Sequence, residues 1–556
     1  MLLLLLAAPA APGNGTMNLL FSMADQMRWD ALSSVNPNLH TPNLDAMASE
    51  GIRALWAYTS TPSCTPARAA LLTGRSPWGH GMLGYGQIAQ RYPFEYPRAL
   101  AAAGYETSII GKDHYGWDNS VKSDGSGQAS SSDGGKKFAH GFGSWNVYDG
   151  VSEKNGIAVQ DEYDSWFNAT RTNKSVTVMD CWPTLDMNSW RGAANVCNEG
   201  LHPTAYVGRR AVDFLEAHAG AGAGGAPPFF LKVSFHRPHS PYDPPPRLLE
   251  ATSGADMPTP VTSADGWSDR FKTCDVMATL DTWCGAQDAS AELLSRRAYH
   301  ASTAFVDEQI GLMHGALLST GLLRRTLWLF TSDHGDAQGD HYHWRKAFPY
   351  ELSAHVPLLI RWPEDAWRPA LPTMPARGGT VDALVELRDI APTLLQAGGA
   401  LPANASSLME GRSLLCLLGG CGGGSAGPGC AGCPTAPWRE TLDLEHDICY
   451  NNSNHWSAIV GSIGGSTASK YVYQAQTGAE QLFDLDGDPH ETADLASLPA
   501  HAATLAAFRS AMVAQFEAEG RGPEWVRDGR LVPRPQSIRY GPNYPGRPPP
   551  VGSEEP

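Results

Sequence analysis

The chain has 556 residues, 42 % of them hydrophobic and 18 % charged, and a formal net charge of -16. This composition supports a large buried core and excludes a disordered chain. The acidic balance disfavours a nucleic-acid binder, which would carry a basic face, and beyond the N-terminus no apolar run reaches the ~20 residues of a spanning helix.

In chain order, Met1–Gly13 (MLLLLLAAPAAPG) reads as a secretory signal peptide. Five sequons, at Asn14, Asn168, Asn173, Asn404 and Asn451, support export and glycosylation. Residues 14–418 read as the main domain. An apolar run at Asn18–Met23 is of strand length and leads into Asp25-Gln26. Thr41-Pro42 starts a helix that stops at Gly51. Thr65-Pro66 starts another that stops at Gly74, which sets Cys64 at a helix N-terminus. Thr107–Ile110 is a second strand and leads into Lys112 and His114; Phe229–Phe235 is a third and leads into His236 and His239. A helix is expected over Leu293–Leu318, then a fourth strand at Thr326–Thr331 that ends in Asp333-His334.

Ser123–Lys137 and Ala219–Pro228 read as surface insertions. Residues 419–437 read as a Gly/Cys-rich linker, 438–520 as a C-terminal subdomain and 521–556 as a Pro/Arg-rich tail. The tail arginines Arg530, Arg534, Arg539 and Arg547 are expected to lie on the protein's own acidic surface. Of the ten cysteines, Cys181/Cys197 and Cys274/Cys284 are close enough to pair locally. Cys416, Cys421, Cys430, Cys433 and Cys449 form a C-terminal group whose connectivity stays open. Cys430-x-x-Cys433 reads as part of a disulfide-bearing loop, because no second ligand pair stands at zinc spacing.

Strands alternating with helices predict an open, doubly wound α/β sheet. Such sheets carry their sites at the carboxyl ends of strands. All four strands end in residues able to do chemistry, so these should converge on one crevice.

Cys64 taken alone reads either as a reactive thiol beside Arg68 or as a buried structural cysteine. A helix N-terminus favours an anion there. The whole stretch Cys64-Thr-Pro66-Ala-Arg68, followed by Leu72-Thr-Gly-Arg75, resembles the type I sulfatase signature at every defining position. Further segments resemble that family between Met17 and Ala496, among them Gly111-Lys-Asp-His-Tyr-Gly116, Pro238-His-Ser-Pro-Tyr242 and Leu482–Pro489. The resemblance implies an alkaline-phosphatase-like fold: a large, mostly parallel sheet flanked by helices, with a smaller C-terminal α+β subdomain. It implies that Cys64 is oxidised to formylglycine by a formylglycine-generating enzyme in the secretory pathway. The hydrated aldehyde, a gem-diol, then attacks sulfur with one hydroxyl and releases sulfate through the other. Asp25, Gln26, Asp333 and His334 would hold Ca²⁺, in preference to Mg²⁺ or Mn²⁺, with the modified Cys64 completing the shell. Many sulfatases carry Asp and Asn where this chain has Gln26 and His334. Lys112 and Lys346 would grip sulfate oxygens, His114 would take the gem-diol proton, and His239 would face the leaving group.

The substrate implied is a sulfated small molecule or saccharide, and the compartment extracellular or lysosome-like. Two alternatives stand beside this reading. One is a phosphonate or phosphodiester monoesterase of the same superfamily, whose metal ligands Gln26 and His334 resemble but which departs from the Lys112-x-His114 segment. The other is a non-catalytic binding protein on the same fold. His236 and Arg237 are expected to position His239. Glu445-His446 and His455-Trp456 could reach over the crevice or serve the core. Asp336, Asp340, His341 and His343 are expected in a solvated loop rather than a second metal site.

Overall fold

The computed structural model describes residues 17–546 apart from 116–120, 124–128, 132–139, 151–160, 183, 187, 222–225, 255, 275–281, 365–375, 419–432, 434–436 and 448–454. The leader, most of the Gly/Cys-rich stretch 419–437, Cys421, Cys430, Cys449, the sequons at Asn14 and Asn451, and Arg547 lie outside the described residues.

Eight strands form the main sheet: β1 (Asn18–Asp25), β2 (Ile52–Tyr58), β3 (Glu106–Gly111), β4 (Ser144–Val147), β5 (Phe229–Pro238), β6 (Thr326–Ser332), β7 (Leu358–Arg361) and β8 (Gly379–Glu386). Their order is β8-β2-β7-β6-β1-β5-β3-β4. β7 runs antiparallel to both neighbours, and the remaining pairs are parallel.

The central strands are buried on both faces. In β1, Leu19, Phe21 and Met23 enter one core while Leu20 and Ala24 enter the other; in β6, Leu327 and Leu329 oppose Trp328 and Phe330. This is the period-two alternation of a strand between two helical layers, and it appears in sequence as an unbroken apolar run. Helices α1 (Pro42–Ser49), α3 (Pro203–Ala221) and α4 (Ala289–Ser319) cover one face, and α2 (Cys64–Thr73) lies against the other. α4 starts four residues earlier than expected. The Asp288 carboxylate accepts from the Ser290 and Ala291 N–H groups and caps it there.

A second, antiparallel sheet is formed by β9 (Thr441–His446), β10 (Trp456–Gly461), β11 (Ser469–Gln474) and β12 (Ala479–Asp484), in that order. One face presents Leu442, Trp456, Val460 and Val472 to Tyr58, Phe348 and Tyr350 of the main domain. The other presents Ile459, Tyr471 and Leu482 to Phe508, Met512 and Phe516 of helix α5 (Ala502–Ala518). The architecture is the one the sequence resemblance implies: a large, mostly parallel sheet flanked by helices, with a small α+β unit docked on the main domain.

Disulfides join Cys181–Cys197, Cys274–Cys284 and Cys416–Cys433, and Cys64 is the unpaired cysteine among the described residues. Such bonds fit an oxidising, secreted-type environment. No described helix is long and apolar enough to cross a membrane. The sequons at Asn168, Asn173 and Asn404 are exposed.

Two expectations change. Arg534 is buried, where it pairs with Asp447 and lies over the Trp525 ring, so it does not rest on the acidic surface. The loop bearing Asp336, Asp340, His341 and His343 is buried, not solvated. Arg28 and Arg296 supply the compensating charge by pairing with Asp340 at 2.7 and 3.4 Å, as burial of a carboxylate requires.

Candidate active site

The register of the central strands brings the site together. β6, β1, β5 and β3 are neighbours and parallel, so their carboxyl ends share one edge. Ala24 stands opposite Ser332, and Gly111 opposite Ser234. Asp25, Asp333, Lys112 and the His236–His239 segment therefore emerge side by side.

α2 supplies the centre. Ser63 is extended, the Ala67 N–H closes the first turn onto the Ser63 carbonyl, and Gly74 ends the helix at φ 69°. Cys64 is thus the first helical residue, with unpaired N–H groups around it. Its Sγ is 2.8 Å from Lys346 Nζ, 3.3 Å from His334 Nε2, 3.7 Å from Asp25 Oδ1 and 4.0 Å from Lys112 Nζ. Burial and the Asp25 charge push the thiol up, but Lys112, Lys346 and His334 outweigh them and hold it well below its ordinary value. Two ammonium groups thus face the sulfur and favour negative charge at this position.

Arg68, one turn along α2 and fully buried, is a brace. Its Nη2 lies 3.1 Å from Asp25 and 2.9 Å from Asp333, and its Nη1 donates to the Lys112 carbonyl and Ser234 Oγ. Lys346 donates to His239 Nε2 at 2.9 Å. The His239 Nδ1–H is committed to the Ser240 carbonyl, which leaves Nε2 as the acceptor. Burial, then the Lys346 charge, brings His239 down to about 3, so it is neutral at ordinary pH. The Ala347 N–H bonds to the Pro62 carbonyl and holds the Lys346 loop beside Cys64.

Asp25, Cys64, Asp333 and His334 form a group whose ligand atoms lie within 4.8 Å of one another. Three observations fit a divalent cation there. The buried Gln26 Oε1 has no hydrogen-bond partner, while its Nε2 donates to Asp336. His334 gives Nδ1 to the Gly335 carbonyl and keeps Nε2 for the centre, the tautomer a metal ligand needs. Asp333 is raised by burial and by the Asp25 charge beside it, as expected of two carboxylates that share one small volume. Gln26 takes φ 71°, held by its N–H on Asp333 Oδ1 and by Tyr299 on its carbonyl.

The structure thus gathers Cys64, Arg68, Lys112, His239, Lys346, Asp25, Gln26, Asp333 and His334. His114 stands apart from the contacts around Cys64. It is half-buried, and its Nε2 faces the Tyr85 hydroxyl at 3.3 Å. Glu445 is engaged by Arg521, and His446 is buried near Trp456, so Glu445 does not reach over the crevice. Asp336 was missed as part of the site. It anchors the Gln26 amide and accepts from Tyr242 at 2.7 Å, and no local pattern distinguishes it from its acidic neighbours.

The described family model for Sulfatase matches residues 17–400, most of the chain. The chain belongs to the sulfatase family. Among curated proteins it is 32 % identical to an arylsulfatase of Clostridium perfringens, over 91 % of this chain and 95 % of the relative. Family membership and this relative support hydrolysis of sulfate esters as the reaction class. Among solved structures, the sulfatase fold seen here matches a phosphonate monoester hydrolase of Agrobacterium radiobacter with TM-score 0.67 at 22 % identity, covering 93 % of this chain and 99 % of that one. It also matches a protein solved with its substrate D-glucosamine-2-N,6-O-disulfate, with TM-score 0.62 at 21 % identity, covering 91 % and 99 %. These last two likenesses concern the fold alone.

Proposed function

We propose that this sulfatase hydrolyses a sulfate monoester to an alcohol and inorganic sulfate, with Cys64 as its nucleophile after conversion to formylglycine. The carrying observation is the pair of ammonium groups facing Cys64 Sγ, Lys346 at 2.8 Å and Lys112 at 4.0 Å, inside a chain of net charge -16. The Sγ marks where the formylglycine oxygens would stand. As formylglycine, this position supplies a hydrated aldehyde, one hydroxyl to attack sulfur and a second through which sulfate is released. Asp25, Gln26, Asp333 and His334 would hold a divalent cation, for which we favour Ca²⁺ on the oxygen-rich donor set; bound there, it would supply positive charge beside the transferring group.

The remaining work falls to the chain's own residues. Lys112 and Lys346 neutralise sulfate oxygens and resist the repulsion between an anionic ester and its nucleophile. His239 receives a hydrogen bond from Lys346 and would face the leaving-group side of the ester. His114, at the half-buried rim beside Tyr85, accepts the proton lost as sulfate departs. Arg68 neutralises Asp25 and Asp333 from behind. The substrate is taken to be a sulfated small molecule or saccharide, met outside the cell or in a lysosome-like compartment after a formylglycine-generating enzyme has matured the chain.

The likeness to the phosphonate monoester hydrolase motivates a second reading, turnover of phosphonate or phosphodiester monoesters. Paired assays on an aryl sulfate and an aryl phosphonate ester separate the two. The sulfate is expected to turn over with the higher kcat/KM, and preference for the phosphonate would replace the first reading with the second.

A further inference from the structure

Lys232 lies in the middle of β5 with its side chain fully buried. Its register neighbours are Phe21 on one side and Ile109 on the other. An amino group in such surroundings is costly to keep, and none of the steps above employs it. Its Nζ is 2.6 Å from the Tyr115 hydroxyl and 4.6 Å from that ring's centroid. Burial, then the Arg68 charge, pulls it down to about 7. As ammonium or amine, the nitrogen keeps its hydrogen bond to the hydroxyl.

Tyr115 closes the segment that carries Lys112 and His114, and every residue of that segment is tied. Gly111 takes φ 90°, and a Cβ there would meet the Ser234 carbonyl at 2.0 Å. The Lys112 N–H donates to that carbonyl, and the Lys112 carbonyl accepts from Arg68. The Asp113 and His114 N–H groups both donate to Asp149 Oδ1, and the Tyr115 N–H donates to Asp113 Oδ1. His114 sits at φ 55°, left-handed for a residue with a Cβ. A non-glycine residue holds that conformation only where its surroundings enforce it. The Tyr115 side chain, gripped by Lys232 and packed edge-on against His140, is the far anchor.

We propose that Lys232 is a positioning residue for the sulfatase reaction, gripping the Tyr115 hydroxyl beneath the site and so fixing the placement of Lys112 and His114. The inference rests on the roles given to those two residues under the proposed function. Lys232 touches no reacting atom and acts through Tyr115. Without the clamp, Tyr115 loses the bond that fixes its hydroxyl end, His114 can relax from its left-handed backbone, and the placement of Lys112 and His114 relative to Cys64 changes. Shifts of this size are costly in rate, because displacement by about 1 Å can lose about a hundredfold.

The test uses full-length, formylglycine-bearing protein, with rates normalised to formylglycine content. Lys232→Met and Tyr115→Phe are compared with wild type on an aryl sulfate. Each is expected to lower kcat by about 10- to 100-fold with KM changed by less than about threefold. The double variant should lose no more than the worse single variant, since both remove one contact. Lys232→Arg, which keeps a donor, should recover most of the rate. Folded variants that retain kcat within about twofold of wild type, or losses that add in the double variant, would overturn the proposal. If Lys232→Met fails to fold, Tyr115→Phe decides alone, because it deletes a single oxygen. Inactive wild type would count against the proposed function and not against the clamp. In that case crystal structures of the variants decide: displacement of Lys112 and His114 supports the clamp, and an unmoved segment refutes it.

Discussion

Asp25 and Asp333 stand on adjacent strand ends, buried and close enough to share Arg68. Without that guanidinium, and before any cation binds, Asp333 would face Asp25 out of water with the Lys112 ammonium, 2.7 Å from Asp25, as the nearest compensating charge. Burial raises the Asp25 carboxyl, yet the Lys112, Lys346 and Arg68 charges hold it well below the usual range, while Asp333 stays raised. The pair therefore depends on nearby positive charge, and Arg68 is the group that touches both carboxylates. Arg68→Leu should destabilise the protein by about 3–5 kcal/mol, the usual cost of removing one partner of a buried ion pair. Thermal denaturation checks this, and a variant as stable as wild type would show that Asp25 and Asp333 need no such brace. At the same scale, the buried Gln26 Oε1 has no hydrogen-bond partner and the Nε2 of His334 faces the centre. Each side chain offers one donor atom to the centre.

The small sheet is joined to the main domain by a buried charge cluster as well as by apolar packing. Lys470, on β11 and fully buried, lies 2.6 Å from Glu351 and 2.8 Å from Glu491. Burial raises Glu351, but the Lys470 and His355 charges bring it down from 4.5 to about 2. Its folded value is depressed, so its stabilisation is present above pH 4.5 and is lost as pH falls toward 2. Glu491, which burial raises to about 7, opposes this at neutral pH. Lys470→Met is therefore expected to cost about 3–5 kcal/mol at pH 7, with the gap to wild type narrowing below pH 4.5. Melting curves across that range check it, and a gap independent of pH would contradict it. The four strands legible in the sequence, β1, β3, β5 and β6, are the contiguous centre of the sheet, where both faces are apolar and the runs unbroken. β8, with exposed Gly379 and Thr380 and a half-exposed middle, has no such run, and β4 and β7 have only four residues each. Those strands were not legible because edge position and brevity remove the signal. Asp25, Lys112, His239, Asp333 and His334 were legible because each stands at or just beyond the end of a central strand, and Cys64 because it starts α2; Lys346, in the loop after β6, was legible through the family resemblance alone. Asp336 and Lys232 are tied to their neighbours by long-range contacts that sequence spacing does not encode.

At the scale of the whole molecule, a chain of net charge -16 gathers Arg68, Lys112 and Lys346 around one buried centre. The surface then repels polyanions at long range while the site attracts a single anionic group. Because the four proposed ligands come from two strand ends at the centre of the sheet, a bound cation should stabilise the whole domain. Chelation should abolish activity and lower the melting temperature, and Ca²⁺ at a hundredfold excess over its Kd should return about 2.7 kcal/mol. Activity and melting that ignore chelator would exclude a metal from the account. The central claim is the nucleophile, and it is tested most directly by mass spectrometry of the tryptic peptide Ala54–Arg68 from protein made in its own secretory pathway. This peptide contains Cys64 as its single cysteine. The account predicts an aldehyde at Cys64; a thiol there in all of the native protein would contradict it.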